Sequence, residues 1–313
     1  MKYADMHCDT LTACCDSGLP LEGCGLQADL KKLKRNGCAV QCLAVFTQGE
    51  GSALRFADYL KFYKRALTEY KIKPVLSYSD FSDCLNSGDT GVMLTVENLG
   101  FMDCIDGLSV LKDCGVKMAS LVWNYENSFA YPNLVFDGGV PDFGKREKRG
   151  LKPLGAEAVK ALDGLKIIVD ISHLSDGGAE EILSGRKIPA VASHSNAFGV
   201  CGVSRNLSDG LIKKVADCGG VVGVNFCTDF LGGDGNDTRD CVLKHLRHII
   251  AVGGEDVAAF GSDFDGIPAP PDFADCTHMP DLIEYLSSNG ISGRVLEKLC
   301  YANFARVVKE VCG

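Results

Sequence analysis

The amino-acid sequence predicts a single α/β domain, a (β/α)8 barrel of the TIM type that spans residues 1–313. Three observations lead to this fold class. Eight short apolar runs recur along the chain, helical stretches lie between most of them, and the length suits one barrel, which usually has about 250 residues or more. No linker or low-complexity segment divides the chain into two units.

The eight candidate strands are near-continuous apolar runs rich in Val, Ile, Ala and Leu, as expected of parallel strands that are buried on both faces. They are residues 3–7, 39–46, 91–96, 116–122, 166–171, 189–193, 220–226 and 257–262.

The helices are predicted from an apolar period near 3.6 and from capping residues. Residues 54–70 show this period clearly, and residues 154–162 form a shorter helix that is expected to stop before Gly164. Further helices are predicted to begin at Ser175 or Asp176, at Ser208, at Thr238 and at Ser292. Residues 123–152, rich in Asn, Gly, Pro and charge, are expected to form an extended loop over one end of the barrel, where long loops often contact substrate.

Composition narrows the class of partner and the compartment. The formal charge of −9 argues against nucleic acid or an anionic membrane as the main partner, because both favour clustered Lys and Arg. No targeting segment and no apolar run of about 18 residues is visible, so no membrane span is expected. The 16 cysteines contain no C-x-x-C pair. We therefore expect reduced thiols and a cytoplasmic location.

Six polar residues follow the carboxyl ends of five predicted strands. They are His7, Asp9, Glu97, His173, His194 and Asp263. The carboxyl ends of barrel strands converge on one face, where barrel enzymes have their active sites. Imidazole and carboxylate groups suit a divalent transition metal such as zinc. The sequence therefore predicts a metal centre at this end of the barrel.

The number of candidate ligands exceeds what one catalytic zinc ion needs, which is about three protein ligands and a water. Two ions would be accommodated if one carboxylate bridged them. Three carboxylates and one hydroxide would also balance the charge of two divalent cations, and a balanced cluster is less costly to bury.

Eight stretches together resemble the membrane dipeptidase (renal dipeptidase-type) family of zinc peptidases, in the form of a bacterial-like soluble member. They are residues 5–10 (DMHCDT), 96–97, 149–155, 170–175, 193–197, 204–207, 261–266 and 303–307. These stretches span nearly the whole chain in the family's order. The resemblance implies a metallo-dependent hydrolase-like barrel, two zinc ions per chain, small dipeptides as substrates and a homodimer.

The resemblance also implies roles for the metal ligands. His7 and Asp9 would hold one zinc ion, His173 and His194 the other, and Glu97 would bridge them. A hydroxide that bridges the two ions would attack the peptide carbonyl.

Four more residues gain roles in the same way. Asp263 would carry the proton, and Arg205 would pair with the C-terminal carboxylate of the dipeptide, a task that suits its planar fork. Trp123 stands where animal members have a substrate-contacting histidine, and Phe230 stands where they have a carboxylate-contacting tyrosine. The range of substrates is therefore expected to differ from that of the animal members.

Two other hypotheses about the function are compatible with the sequence. The first is another barrel metallohydrolase of the lactonase, phosphotriesterase or deaminase type. A carbamylated lysine bridge would require Lys at the end of the fourth strand, where this chain has Val122 and Trp123. The second is a metal-binding protein without turnover, which an intact ligand set disfavours.

Overall fold

Eight parallel strands form the barrel in the computed structural model, which describes residues 1–233 and 237–313. They are β1 Tyr3–Asp5, β2 Cys38–Phe46, β3 Gly91–Glu97, β4 Val116–Ser120, β5 Ile168–Asp170, β6 Ala190–Val191, β7 Val222–Val224 and β8 Ala258–Phe260. All eight coincide with predicted strands. Six are shorter than predicted, and β2 and β3 are each one residue longer.

The strands follow one another around the barrel in the order β7-β8-β1-β2-β3-β4-β5-β6. The chain's first and last strands pair directly, with Asp5 opposite Phe260. A parallel bridge between Ala192 and Val222 joins the two remaining edges. A two-residue strand, Lys73–Pro74, adds to β3 at Gly91 and Val92. The predicted (β/α)8 barrel is confirmed.

Helices occupy the connections between the strands. They are α1 Thr10–Ser17, α2 Leu30–Arg35, α3 Ser52–Glu69, α4 Tyr78–Ser87, α5 Ser109–Asp113, α6 Pro153–Leu165, α7 Asp176–Leu183, α8 Asp209–Asp217, α9 Thr228–Leu231, α10 Thr238–Gly253, α11 Met279–Ser288, α12 Gly293–Glu297 and α13 Asn303–Cys312. Short 3₁₀ turns cover Asp106–Leu108 and Cys276–His278. In the described part of the chain, no helix combines the length and the apolar character needed to cross a bilayer.

Two helices differ from their predicted form. Helix α6 runs through Gly164 and is capped two residues later, at Lys166. Lys166 has a left-handed backbone (φ 59°), and its N–H is directed back to the carbonyls of Leu162 and Asp163. The helix predicted from Ser292 is divided into α12 and α13 by a π-helical turn, Lys298–Ala302. At this junction the side chain of Asn303 donates to the carbonyls of Glu255 and Ala258.

The stretch 123–152 contains a short antiparallel hairpin within the predicted loop. Its strands are Val135–Asp137 and Val140–Asp142. The ring of Phe136 stacks on Tyr125 with 5.1 Å between ring centres. The hairpin is thus connected to the residues that directly follow Trp123.

Alternate side chains of the strands pack on two sides of the barrel wall, as the period of two requires. Ala4, Met6 and Val40 belong to an interior cluster, to which α13 contributes Phe304 and Val307. Outward-facing side chains belong to a larger cluster shared with the surrounding helices. All 16 cysteines are free thiols.

Candidate metal centre and substrate cavity

The carboxyl ends of the strands bring all six predicted residues together. Their ligand atoms form three overlapping groups, each with atoms within 4.8 Å of one another. The groups are His7, Asp9 and Glu97; Glu97, His173 and His194; and His7, His194 and Asp263. The first two are the ligand sets that the family resemblance implies for two ions, and Glu97 belongs to both.

Glu97 lies between the two halves of the cluster. Its Oε1 is 2.9 Å from His173 Nε2 and 3.4 Å from His194 Nε2, and its Oε2 is 3.7 Å from His7 Nε2. On the far side, His7 Nε2 is 3.4 Å from Asp9 Oδ2. One carboxylate is therefore within reach of both groups of imidazoles.

The backbone is strained at two of these positions. His173 and Asp263 have left-handed φ values of 66° and 65°, which cost about 1–3 kcal/mol each for residues other than glycine. Gly266 makes room for the carboxylates of Asp9 and Asp263, because a Cβ atom there would collide with Asp9 Oδ2 and Asp263 Oδ1. Such strain is typical of functional positions.

The ring of His194 is held by a chain of hydrogen bonds. The Ser193 hydroxyl donates to Asp170 Oδ2 over 2.5 Å and lies 2.7 Å from His194 Nδ1. Asp170 Oδ1 accepts from the N–H groups of Ser172 and Ser193, both at 2.9 Å. Because the hydroxyl has one proton and gives it to the carboxylate, it accepts from Nδ1–H of the ring. The network thus assigns the free lone pair of His194 to Nε2, which faces the cluster.

A chemically similar pair lies on the other side of the barrel without touching a ring. Asp5 accepts from the N–H of Ser262 at 2.9 Å and from its hydroxyl at 2.5 Å. The other hydroxyl contacts are with backbone groups, the carbonyl of His7 at 3.3 Å and the N–H of Phe264 at 3.2 Å. This pair supports the loop at the end of β8 and makes no hydrogen bond to an imidazole.

Two asparagines orient further members of the cluster. Asn124 Oδ1 lies 2.8 Å from His173 Nδ1, so it accepts from that nitrogen and leaves Nε2 free. Asn225 Nδ2 donates to Asp263 Oδ2 over 2.7 Å. The other carboxylate oxygen of Asp263 is 3.7 Å from His7 Nε2. Asp263 is therefore fixed with one oxygen directed at the cluster.

Burial keeps two of the imidazoles neutral. It lowers the pKa of His173 and of His194 well below the ordinary value, and the positive charges of Arg205 and His7 act in the same direction. Neutral imidazole is the form that binds a metal ion.

The other members of the cluster are three carboxylates gathered around the imidazole of His7, with oxygens 3.4–3.7 Å from its Nε2. Burial raises the pKa of Glu97 and raises that of Asp263 to about 6. Burial opposes the charge on His7, but Glu97, Asp9 and Asp263 outweigh it and raise its pKa to about 10. His7 Nε2 is buried without a hydrogen-bond partner in the described residues. Buried carboxylates around an unpartnered imidazole nitrogen, with N and O donors only, fit divalent cations.

A cavity of about 320 Å³ opens beside the cluster. Its walls include Trp123, Phe46 and Phe230, together with His173 and Asp263. The rings of Trp123 and Phe46 are 4.8 Å apart, and that of Trp123 is 6.0 Å from His173. Both aromatic residues predicted to contact substrate, Trp123 and Phe230, therefore line this cavity.

Arg205 is buried next to Phe230, with its guanidinium carbon 5.8 Å from the ring centre. Its Nη1 donates to Ser195 Oγ over 2.9 Å. Its Nε and Nη2 have no hydrogen-bond partner in the described residues. A buried guanidinium with two free donors is suited to an anionic group.

Sequence reasoning did not assign roles to Asn124, Ser193 and Asn225. Ser193 and Asn225 are polar residues within predicted apolar strands, which is the signal that could have drawn attention to them. Their partners lie far away in the sequence, so the signal does not identify what they contact.

A parallel (β/α)8 barrel with three imidazoles and three carboxylates at the carboxyl ends of its strands defines the class of barrel metallohydrolases. Comparisons with known proteins give the family. The family model described as membrane dipeptidase (Peptidase family M19) matches residues 1–312. The chain belongs to the membrane dipeptidase family.

Two relatives support this assignment. A Klebsiella pneumoniae protein, named as an uncharacterized protein in the pqqA 5′ region, is 34% identical over 247 residues, which cover 77% of this chain and 89% of that protein. A Schizosaccharomyces pombe protein named as an uncharacterized dipeptidase is 31% identical over 305 residues, covering 90% of this chain and 71% of that protein.

Two solved structures share the fold over the whole chain. The metallopeptidase dipeptidase AC, of family M19, superposes with a TM-score of 0.90 at 27% identity, covering 100% of this chain and 99% of that one. A metallopeptidase from Rhodobacter sphaeroides, liganded with a phosphinate mimic of the dipeptide L-Ala-D-Ala, superposes with a TM-score of 0.89 at 25% identity. The superposition covers 99% of each chain. The predicted family, dipeptidase function and metallopeptidase class are confirmed.

Proposed function

We propose that this dipeptidase acts with two zinc ions at the mouth of the barrel. His7 and Asp9 hold one ion, His173 and His194 hold the other, and Glu97 is shared between them. The observation that carries the proposal is the position of Glu97, whose two oxygens lie 2.9 Å from His173 Nε2 and 3.7 Å from His7 Nε2. When bound, the two ions supply Lewis acidity that activates a water and polarises the peptide carbonyl.

Asp263 handles the proton in this proposal. It accepts a proton from the attacking water and passes it to the leaving amine. Support comes from its fixed orientation, because Asn225 holds one oxygen at 2.7 Å while the other faces His7 at 3.7 Å.

Arg205 binds the C-terminal carboxylate of the dipeptide. Its two unpartnered donors would each gain a charge-assisted hydrogen bond from that group. Trp123 and Phe230 contact the rest of the substrate as parts of the cavity wall. A buried arginine of this kind favours a free carboxylate over an amide or a longer peptide, so the proposal explains a restriction to dipeptides.

The metal content of Glu97→Gln tests the shared ligand. Elemental analysis should find about two zinc equivalents in the wild type and one or fewer in the variant, because an amide is a poor bridge between two cations. An unchanged ratio would contradict the shared role of Glu97.

Activity is tested by the release of amino acids from a panel of L,L and L,D dipeptides, with and without zinc. We expect release that depends on zinc. The structural neighbour bound to a mimic of L-Ala-D-Ala makes the L,D members of the panel the informative ones for stereochemistry. A protein that binds zinc and releases nothing would be a binding protein instead. A homodimer and a cytoplasmic location stay predictions.

A further inference from the structure

One face of helix α1 forms part of the cavity wall. Asp9, Thr12, Ala13 and Asp16 all line the cavity. Their spacing of three, four and seven residues places them on one side of a helix. Asp9, the residue before the first helical turn, belongs to the metal cluster, so this face leads away from the cluster toward Asp16.

Asp16 lies at the far end of this face. Seven residues at about 1.5 Å each separate it from Asp9 by about 10 Å along the helix axis. That distance is comparable to the reach of an extended lysine or arginine side chain from a dipeptide held at the metal cluster. Asp16 is thus placed to meet the end of a substrate side chain and lies well beyond the scissile bond.

The carboxylate of Asp16 is held in place by Tyr59. The hydroxyl of Tyr59 donates to both of its oxygens, at 2.9 and 3.0 Å. Tyr59 lies on α3 and is 4% exposed, so its position is set by the packing of α3. A carboxylate held in this way is pre-organised for a further partner.

In the part of the chain that the structure describes, Asp16 has no cationic partner of its own. Among the described residues, no Lys, Arg or His nitrogen lies within 4.0 Å of its oxygens, and no Lys or Arg lines the cavity. Of the other lining carboxylates, three belong to the proposed metal centre. Asp265 accepts hydrogen bonds from Thr10 and from the backbone of Gln27 and Ala28.

Another part of the cavity wall is apolar, because Phe46 and Trp123 expose their aromatic rings there. A side chain with an apolar stem and a cationic head fits a cavity that has both features. On the basis of the proposed dipeptidase function, we infer that Asp16 gives the enzyme a preference for dipeptides that carry a lysine or arginine side chain.

The test compares kcat/KM for lysine- or arginine-containing dipeptides with that for neutral partners of similar length, such as those with norleucine or methionine. Asp16→Asn should lower the cationic-to-neutral ratio by about two- to fivefold, the range expected for an ion pair with an exposed carboxylate. Tyr59→Phe, which releases the carboxylate, should give a smaller decrease. In the wild type the ratio should also fall as NaCl is raised.

Asp58→Asn is the matched control, since Asp58 is an exposed carboxylate next to Tyr59 that pairs with Lys61 and does not line the cavity. It should leave the ratio unchanged. An unchanged ratio in Asp16→Asn would overturn the inference and leave the dipeptidase proposal intact. An equal loss on all substrates would also overturn it, because Asp16 would then bind the α-ammonium group common to every dipeptide. A zinc-loaded wild type that cleaves no member of the panel would remove both proposals.

Discussion

Replacing Ser193 with alanine removes one oxygen from the chain of hydrogen bonds that holds the ring of His194. In the native protein this hydroxyl lies 2.5 Å from Asp170 Oδ2 and 2.7 Å from His194 Nδ1. It favours the tautomer whose Nε2 lone pair is free for a metal ion. Without it, the buried Nδ1 loses its partner, and the proton gains freedom to occupy Nε2, where it blocks metal binding.

The magnitude follows from what remains after the substitution. Asp170 keeps two backbone donors on Oδ1, at 2.9 Å each, so the carboxylate stays in place, although its Oδ2 loses the hydroxyl donor. The loss that bears on the metal ion is the partner of the imidazole Nδ1. Loss of a partner of this kind weakens metal binding by about 10- to 100-fold, or about 1.4–2.7 kcal/mol. We expect the weaker of the two zinc-binding steps to show this change.

The assay is a titration of metal-free protein with zinc in the presence of a chromophoric chelator. Ser262→Ala is the matched control, because it removes the same hydroxyl from a second buried Asp–Ser pair that contacts no ring. It should bind zinc as tightly as the wild type. Thermal unfolding of both metal-free variants controls for a general loss of stability.

Two results would refute this reasoning. One is zinc affinity in Ser193→Ala equal to that of the wild type. The other is an equal loss in Ser262→Ala, which would assign the effect to disturbance of the barrel wall and not to the ring of His194.

Arg205→Met should raise KM for dipeptides by about 10- to 100-fold, since hydrogen bonds to a charged group contribute about 1.5–3 kcal/mol. Steady-state kinetics should find a much smaller effect on dipeptide amides. An equal effect on both kinds of substrate would argue against carboxylate binding. Asp263→Asn should lower kcat by about 10²- to 10⁴-fold while elemental analysis finds the zinc content unchanged, whereas full activity would exclude Asp263 as the proton carrier. Asp29→Ala should lower the free energy of unfolding by about 1 kcal/mol at neutral pH, because the carboxylate caps α2 through the N–H of Lys31. Burial raises the pKa of Asp29, but backbone hydrogen bonds from Gly25 and Lys31 outweigh it and lower the pKa overall. The stabilisation is therefore present above the unfolded-state pKa and is lost as the pH falls through the folded-state pKa. In urea unfolding, the wild type should have the higher free energy of unfolding at pH 7, and the difference from the variant should disappear in acid.

The location of the metal cluster could be predicted from local patterns. Glu97 and His194 directly follow apolar runs, and a chain that alternates strands and helices directs the carboxyl ends of parallel strands to one face. That argument needs no distances, because it depends only on which strand each residue follows and not on the residue at which the strand stops. For the same reason it succeeded although six of the eight strands are shorter than predicted.

The contacts that orient the cluster could not be predicted in this way. Ser193 meets Asp170 because β5 and β6 pair with Asp170 opposite Val191. Asn225 meets Asp263 because β7 and β8 pair with Val224 opposite Phe260. A shift of one residue in either register would turn these side chains to the other face of the sheet.

The sequence by itself determined the barrel and the residue types at the mouth, because periodicity and strand-end chemistry are properties of neighbouring residues. It pointed to the family through the resemblance of eight stretches to the membrane dipeptidases. Only the tertiary structure decided that Glu97 reaches both groups of imidazoles, that Arg205 is buried with two free donors, and that a face of α1 leads from the cluster to Asp16. These features depend on strand register and on helix packing between segments far apart in the chain. Register and packing are set by the folded barrel as a whole.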